Sequence, residues 1–316
     1  MINWCIQSLT YFIVVICVFY NSIGVALAEE SNTLFRKKMI AILISPEVKA
    51  ITMMAEELET QINLSVCRFF LDIQGLPYSL DPRCESLTSD RFDTVVAAGP
   101  EALSYLVTQQ WSYPAFYAMV LNPERILNKN QVFCGVSLNI PIVTNQFNVI
   151  RQTFPRVSRI GVMFDPVHNQ AWFDQAQPIA AINNITLVPL KVNDPKDINI
   201  HFEKTGPSVE AILFIPDRKV TQHTVVIEHI IKSAFHFGIP TIGYNQFFYE
   251  SGAALSYVVN YRAVGKQLSD MIQLYMQGQP CKSTGPVYEV WLNRKVVNKL
   301  KLTVGEHLPV VIKEDE

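Results

Sequence analysis

Ser45, Gly99, Pro100, Asn122, Asp165, Asn169, Gln170, Asp217 and Tyr244 each stand at the end of an apolar run or just beyond it, where a chain turns from strand to helix. Hydroxyl, amide, carboxylate and phenol groups at such turns donate and accept hydrogen bonds, so their chemistry is the capture of a small molecule. Asp217 has two readings, partner to a ligand's ammonium group or cap on a helix N-terminus, and both stay open. Tyr244 can stack on an apolar ligand or pack in the core. Asn169 and Ser45 read first as helix caps, and Asn122-Pro123 as a turn. Catalytic patterns point nowhere: there is no G-x-S-x-G, H-E-x-x-H or G-x-x-x-x-G-K-[ST] run. His229 and His236 lie a heptad apart without a third ligand in view, so no metal site is expected. The chain therefore reads as a binder without cofactor rather than an enzyme.

The turns are positioned by alternating elements. Met39–Ile44 is a run of buried-strand length, and Ser45-Pro46-Glu47 predicts a helix opening there and reaching Gln61, with proline in its first turn. Strands follow at Leu64–Leu71, Phe92–Ala98 and Ala115–Leu121, with a helix at Ala102–Gln110 between the last two. The pattern then recurs: helix Ile142–Phe154, strand Arg159–Phe164, helix Gln170–Asn183, strands Thr186–Val192 and Val209–Ile215, helix Thr224–Phe237, strand Thr241–Tyr244. Such alternation gives parallel sheets with helices on both faces, and ligands then bind beyond the carboxyl ends of the strands. Two successive runs predict an α/β protein of two similar lobes with their turns across a cleft.

Bulk properties agree. A chain of 316 residues is long for one compact domain and comfortable for two lobes. Hydrophobic residues at 49% and charged residues at 17% are ordinary for a globular protein, which argues against long disorder. A formal net charge of -2 without a basic stripe argues against nucleic acid as a partner.

Gly135–Leu138, Phe154–Pro166, Gly238–Tyr244, Gly252–Tyr257, Tyr261–Gln267 with the helix ending at Gly278-Gln279-Pro280, and Val290–Asn293 form a series of longer stretches. In their order and spacing they resemble the ABC-transporter substrate-binding protein family of the type I periplasmic-binding fold. The resemblance implies two Rossmann-like lobes joined by three crossings near Asn130–Asn139, Gly252–Val259 and Pro280–Val287. Residues 35–134 and 258–282 would form the N-terminal lobe, and 135–257 and 283–316 the C-terminal lobe. It also implies a monomer that traps a small-molecule solute, such as an amino acid or a related compound, and passes it to an ABC permease. The alternative within this fold is a sensor that partners a membrane receptor kinase. Family members often carry Ser or Thr after the glycine of the third strand. This chain has Pro100, which offers neither a hydroxyl nor an N–H to a carboxylate. Asn169 and Gln170 match a polar pair at a helix start, and Asp217 an acidic position.

Residues 1–28 contain no charged side chain, are apolar from Leu9 to Tyr20, and end in Ala26-Leu27-Ala28 before Glu29. That pattern predicts a secretory signal over residues 1–28 and a periplasmic location, with a membrane anchor if the segment is retained. An oxidising compartment permits disulfides among Cys67, Cys84, Cys134 and Cys281. Cys67–Cys84 is the favoured pair, because Cys134 and Cys281 lie near crossings where a bond could hinder closure. Amino-terminal sequencing of the native protein is expected to begin at Glu29; intact Met1 in the membrane fraction would show an anchor instead.

Overall fold

The computed structural model describes residues 38–312, apart from 47, 85, 88–90, 110, 112–113, 129–132, 141–143, 206–207 and 307–309. The amino-terminal segment expected to direct export, and part of the first expected crossing, lie outside the described residues.

The first lobe begins with β1 (Met39–Ile44), α1 (Lys49–Gln61), β2 (Ser65–Leu71), β3 (Pro77–Tyr78), β4 (Thr94–Ala98), α2 (Pro100–Thr108), β5 (Ala115–Val120) and β6 (Phe133–Ser137). The second continues with α3 (Thr144–Thr153), β7 (Arg159–Phe164), α4 (Pro166–Ile182), β8 (Thr186–Lys191), α5 (Asp197–Thr205), β9 (Ala211–Leu213), α6 (Arg218–Thr221), α7 (Thr224–His236), β10 (Thr241–Gly243), α8 (Gln246–Glu250) and β11 (Leu255–Val259). The chain then returns to the first lobe as α9 (Tyr261–Met276) and finishes in the second with β12 (Tyr288–Leu292), α10 (Arg294–Lys299) and β13 (Val311–Ile312). Among the described residues, no helix is long and apolar enough to cross a membrane.

The first sheet has the order β3-β2-β1-β4-β5-β6 and is parallel except for β3. The second has the order β13-β12-β11-β10-β9-β7-β8, with β12 antiparallel to β11. The expected α/β architecture is therefore present, as two sheets each covered on both faces. Strand periodicity shows why. Ile40, Ile42 and Ile44 join one core cluster with Val96 and Ala98, while Ala41 and Leu43 join another with Val95 and Ala97.

The sheets exchange the chain after Ser137 and Val259 and again before Tyr288. Gly135-Val136-Ser137 stays in the first sheet because it completes the β5 edge and bonds to Thr284. On α9, Val264, Leu268 and Ile272 recur at helical spacing and are fully buried against the first lobe. Gly265 lets this helix approach α1, since a Cβ there would strike the Met54 carbonyl oxygen.

The helix expected to open at Ser45-Pro46-Glu47 begins instead at Lys49, with Val48 as its uncapped lead residue. Both disulfides form: Cys67–Cys84 and Cys134–Cys281. The second does not straddle the hinge. Cys134 lies in β6, and Cys281 follows α9 on the same lobe, where Thr284 still pairs with Val136. The bond therefore fastens the returning helix to the first sheet.

The disulfides enclose sequence separations of 17 and 147 residues. Loop-closure entropy then predicts losses of about 3 kcal/mol for Cys67→Ser/Cys84→Ser and about 5 kcal/mol for Cys134→Ser/Cys281→Ser. Denaturant unfolding of the two double variants measures this, and equal stabilities would contradict the loop-length ordering.

Candidate functional site

Between the lobes lies a cavity of about 300 Å³. Leu121, Asn122 and Glu124 reach it from beyond β5, and Leu138, Asn139 and Ile140 from the first crossing. The second lobe contributes Asn169 and Trp172 from α4, the Phe214–Pro216 stretch after β9, and Tyr244 after β10, with Gln146 from α3. A second, more open cavity of about 270 Å³ lies alongside, and Leu121, Asn122, Pro216 and Tyr244 line both. Arg125, Asp217, Arg218, Thr221 and Gln222 complete the outer one. Walls that mix aliphatic and aromatic side chains with a few amides suit an organic molecule with an apolar body.

The first-lobe wall is shaped by a bulge. The β5–β6 register shifts between Ala118 and Val120, and Met119 has φ 61°. An extra residue in a strand re-aims the side chains beyond it. Asn122 also adopts a left-handed conformation, φ 51° and ψ 57°, before a short 3-10 turn over Pro123–Arg125. The Asn139 side chain steadies it by accepting from the Asn122 amide at 2.8 Å. The crossing segment thus holds the first-lobe loop in place.

The second-lobe wall rests on a buried carboxylate pair. Asp217 caps α6, its Oδ1 accepting from the amides of Lys219 at 2.9 Å and Val220 at 3.1 Å. Its Oδ2 accepts from the Asp165 amide and from Asn169 Nδ2, both at 2.7 Å. Asp165 in turn caps α4 through the Val167 amide and pairs with His168 Nδ1 and Lys219 Nζ. Burial pushes the Asp165 carboxyl up, but the bonds from His168, Val167 and Lys219 outweigh it and hold the pKa below the usual carboxylate value. Tyr244 donates to Thr221 Oγ1 at 3.0 Å and packs its ring against Phe248. Burial raises its phenol pKa despite that hydrogen bond, so it remains a neutral donor at neutral pH.

Of the residues singled out in the sequence, Asn122, Asn169 and Tyr244 line the inner cavity, and Asp217 joins Asn122 and Tyr244 at the outer one. Asp217 sits there with two N–H groups on each oxygen, which is the capping arrangement. Asn169 lies within α4 rather than at its cap, which is Asp165. Gln170 lines neither cavity and donates to Asp174 one turn on. Ser45, Gly99, Pro100 and Asp165 line neither one. Ser45 does cap a helix, but the neighbouring one: its buried Oγ accepts from the Ala102 amide of α2 at 3.0 Å. Gly99, at φ 103°, makes this possible, because a Cβ there would lie 2.5 Å from Ser45 Oγ. Pro100 occupies the first position of α2, where no N–H is needed. Sequence reasoning missed Glu124, Arg125, Asn139, Gln146, Trp172 and Arg218. Glu124 and Arg125 directly follow the Asn122-Pro123 turn, so a search of the full turn would have found them. Gln146 and Trp172 lie inside helices and carry no turn signal.

A family profile described as ABC transporter substrate binding protein matches residues 84–315. No match was found among curated protein sequences. Among solved structures, the chain is similar to a ligand-free, open substrate binding protein with adhesive properties from Clostridium difficile, at 17% identity and a TM-score of 0.68, covering 88% of this chain and 100% of that one. An ABC domain in complex with L-Trp from Streptococcus pneumoniae is 17% identical with a TM-score of 0.58, covering 85% and 96%. A conserved domain protein from Vibrio cholerae is 18% identical with a TM-score of 0.57, again covering 85% and 96%. These likenesses establish the type I periplasmic-binding fold.

Asp217→Ala is expected to destabilise the ligand-free protein by about 3 kcal/mol, because it strands several buried N–H donors together. Asp165 adds a pH dependence. Its folded pKa lies below the unfolded value of about 3.9, so its stabilisation is present above that value and lost as pH falls through the folded pKa. Chemical unfolding from pH 7 to pH 3 should show this loss in the native protein and a weaker one in Asp165→Asn; identical pH profiles would contradict it.

Proposed function

This chain belongs to the ABC transporter substrate binding protein family, and we propose that it captures a small organic solute in its interlobe cavity, outside the cytoplasm, for delivery to an ABC permease. The family binds small-molecule solutes, is extracytoplasmic, and works with permeases rather than as enzymes. The observation that carries the reading for this chain is the cavity of about 300 Å³ walled by both lobes. Its Trp172, Phe214 and Ile140 walls suit an apolar body, and Asn122, Asn139, Gln146 and Asn169 offer hydrogen bonds that fix orientation. The Streptococcus pneumoniae protein holds L-Trp, which supports an amino acid or a related compound as the solute here.

The working cycle rests on linkage. A solute that touches both walls binds the closed arrangement better than the open one, and so shifts the population toward closure. Asn169 is pinned by Asp217 and the Pro216 carbonyl, so the second-lobe wall is prepared before the solute arrives. Export to the periplasm belongs to the same reading, supported by the uncharged segment ending in Ala26-Leu27-Ala28.

The test is a thermal-shift screen against a metabolite library. A solute at a hundredfold excess over its dissociation constant should stabilise the protein by about 2.7 kcal/mol. At about 2–4 °C per kcal/mol, the midpoint should rise by about 5–10 °C. Trp172→Ala should reduce that rise, because it removes a cavity wall. A complete library without any shift would overturn the proposal.

A further inference from the structure

The helix N-termini that follow the carboxyl ends of the strands are where a protein of this architecture would bind an anionic group, because their free amides can point at it. Here they are already occupied from within. At α2, Ser45 takes the Ala102 amide and Pro100 supplies none. At α4 Asp165 takes the Val167 amide, and at α6 Asp217 takes those of Lys219 and Val220. Asn245 caps α8 through the Phe248 amide. All four caps are side chains sitting where a carboxylate would need to sit, and two of them are themselves carboxylates.

Cationic side chains appear at the cleft in another place. Arg125, from the 3-10 turn of the first lobe, and Arg218, at the start of α6 in the second, line the same outer cavity of about 270 Å³. Both are exposed, and among the described residues neither is paired with a carboxylate. The acid in that cavity, Asp217, is held by four N–H groups. Glu124 lines the inner cavity instead, so neighbouring acid and base serve different chambers. The two cavities meet at Leu121, Asn122, Pro216 and Tyr244.

We propose that Arg125 and Arg218 form a two-lobe clamp for the anionic head of the solute, a carboxylate whose apolar body lies in the inner cavity. The clamp rests on the solute-binding reading and deepens it. Two like charges on opposite lobes repel increasingly as the lobes approach, and an anion between them turns that repulsion into attraction to both sides. Guanidinium groups suit the task, since each presents a planar fork that matches a carboxylate. Specificity for an anion thereby becomes a condition for closure rather than a property of one lobe.

The experiment uses matched probes with the full-length mature protein and calorimetric titration. 3-Phenylpropionate, phenethylamine and L-phenylalanine share one body, and isocaproate, isopentylamine and L-leucine share another. Within at least one body, the carboxylate-bearing members should bind at least tenfold more tightly than the amine. Their affinity should fall as salt rises. Arg125→Gln and Arg218→Gln should each weaken the carboxylate at least tenfold while leaving the ligand-free melting midpoint unchanged, because both side chains are exposed. The clamp is overturned if in both bodies the amine binds as tightly as its matched carboxylate, if neither body yields a binding carboxylate, or if either arginine variant retains full affinity. A neutral or cationic solute found in the library screen, with both carboxylate series silent, removes the clamp and leaves the solute-binding reading standing; a library without any solute removes both.

Discussion

A buried carboxylate needs hydrogen bonds to replace the water it has lost, and the second lobe is organised around that demand. Asp217 meets it by drawing together three parts of the chain: the start of α6, the end of β7 at Asp165, and the first turns of α4 at Asn169. Asp165 extends the arrangement to His168 and Lys219. Two helix N-termini and two strand ends are thereby locked at the carboxyl end of the sheet, and this is the end that meets the cleft. The wall that a solute encounters on this side is therefore as rigid as the network beneath it.

The first lobe reaches the cleft by different means. Its α2 terminus is held back by Ser45 and Gly99, so the contribution to the cavity comes from the stretch after β5 instead. That stretch needs a bulge at Met119 and a left-handed Asn122, conformations that persist only where the surroundings over-determine them. Asn139 supplies part of that support, and it belongs to a crossing between the lobes. A shift in the crossing would therefore be felt at Asn122, which couples lobe movement to the shape of the wall.

The strands were legible because each run is short, apolar and bounded by turn residues. Met39–Ile44 and Arg159–Phe164 match β1 and β7 residue for residue, and the other sheet strands expected from the sequence differ by one to a few residues at their ends. The helices were less legible at their starts. Pro166 opens α4 four residues before the expected Gln170, since proline is tolerated where the N–H has no partner. Ser45 shows a deeper limit. Its type and position announced a cap, yet the helix it caps lies 57 residues away in sequence, and only the packing of β1 beside β4 brings them together. Similarly, the sequence left Asp217 open between cap and ligand partner, because both functions demand a carboxylate at a helix start.

Capping also redistributes where recognition can occur. Helix N-termini are economical anion sites, but an amide satisfied by Ser45, Asp165 or Asp217 is no longer available to a solute. The same three side chains that stiffen the cleft therefore exclude the backbone from selecting what enters it. On the proposed reading, selection falls to side chains beyond them: amides and aromatic faces in the inner cavity, and Arg125 and Arg218 in the outer one. These two arginines project from exposed turns rather than from buried strand ends, so they can change in type without disturbing the network that holds the lobe together. A scaffold of this kind keeps its fold while its choice of solute varies, because stability and specificity rest on different residues of the same turns.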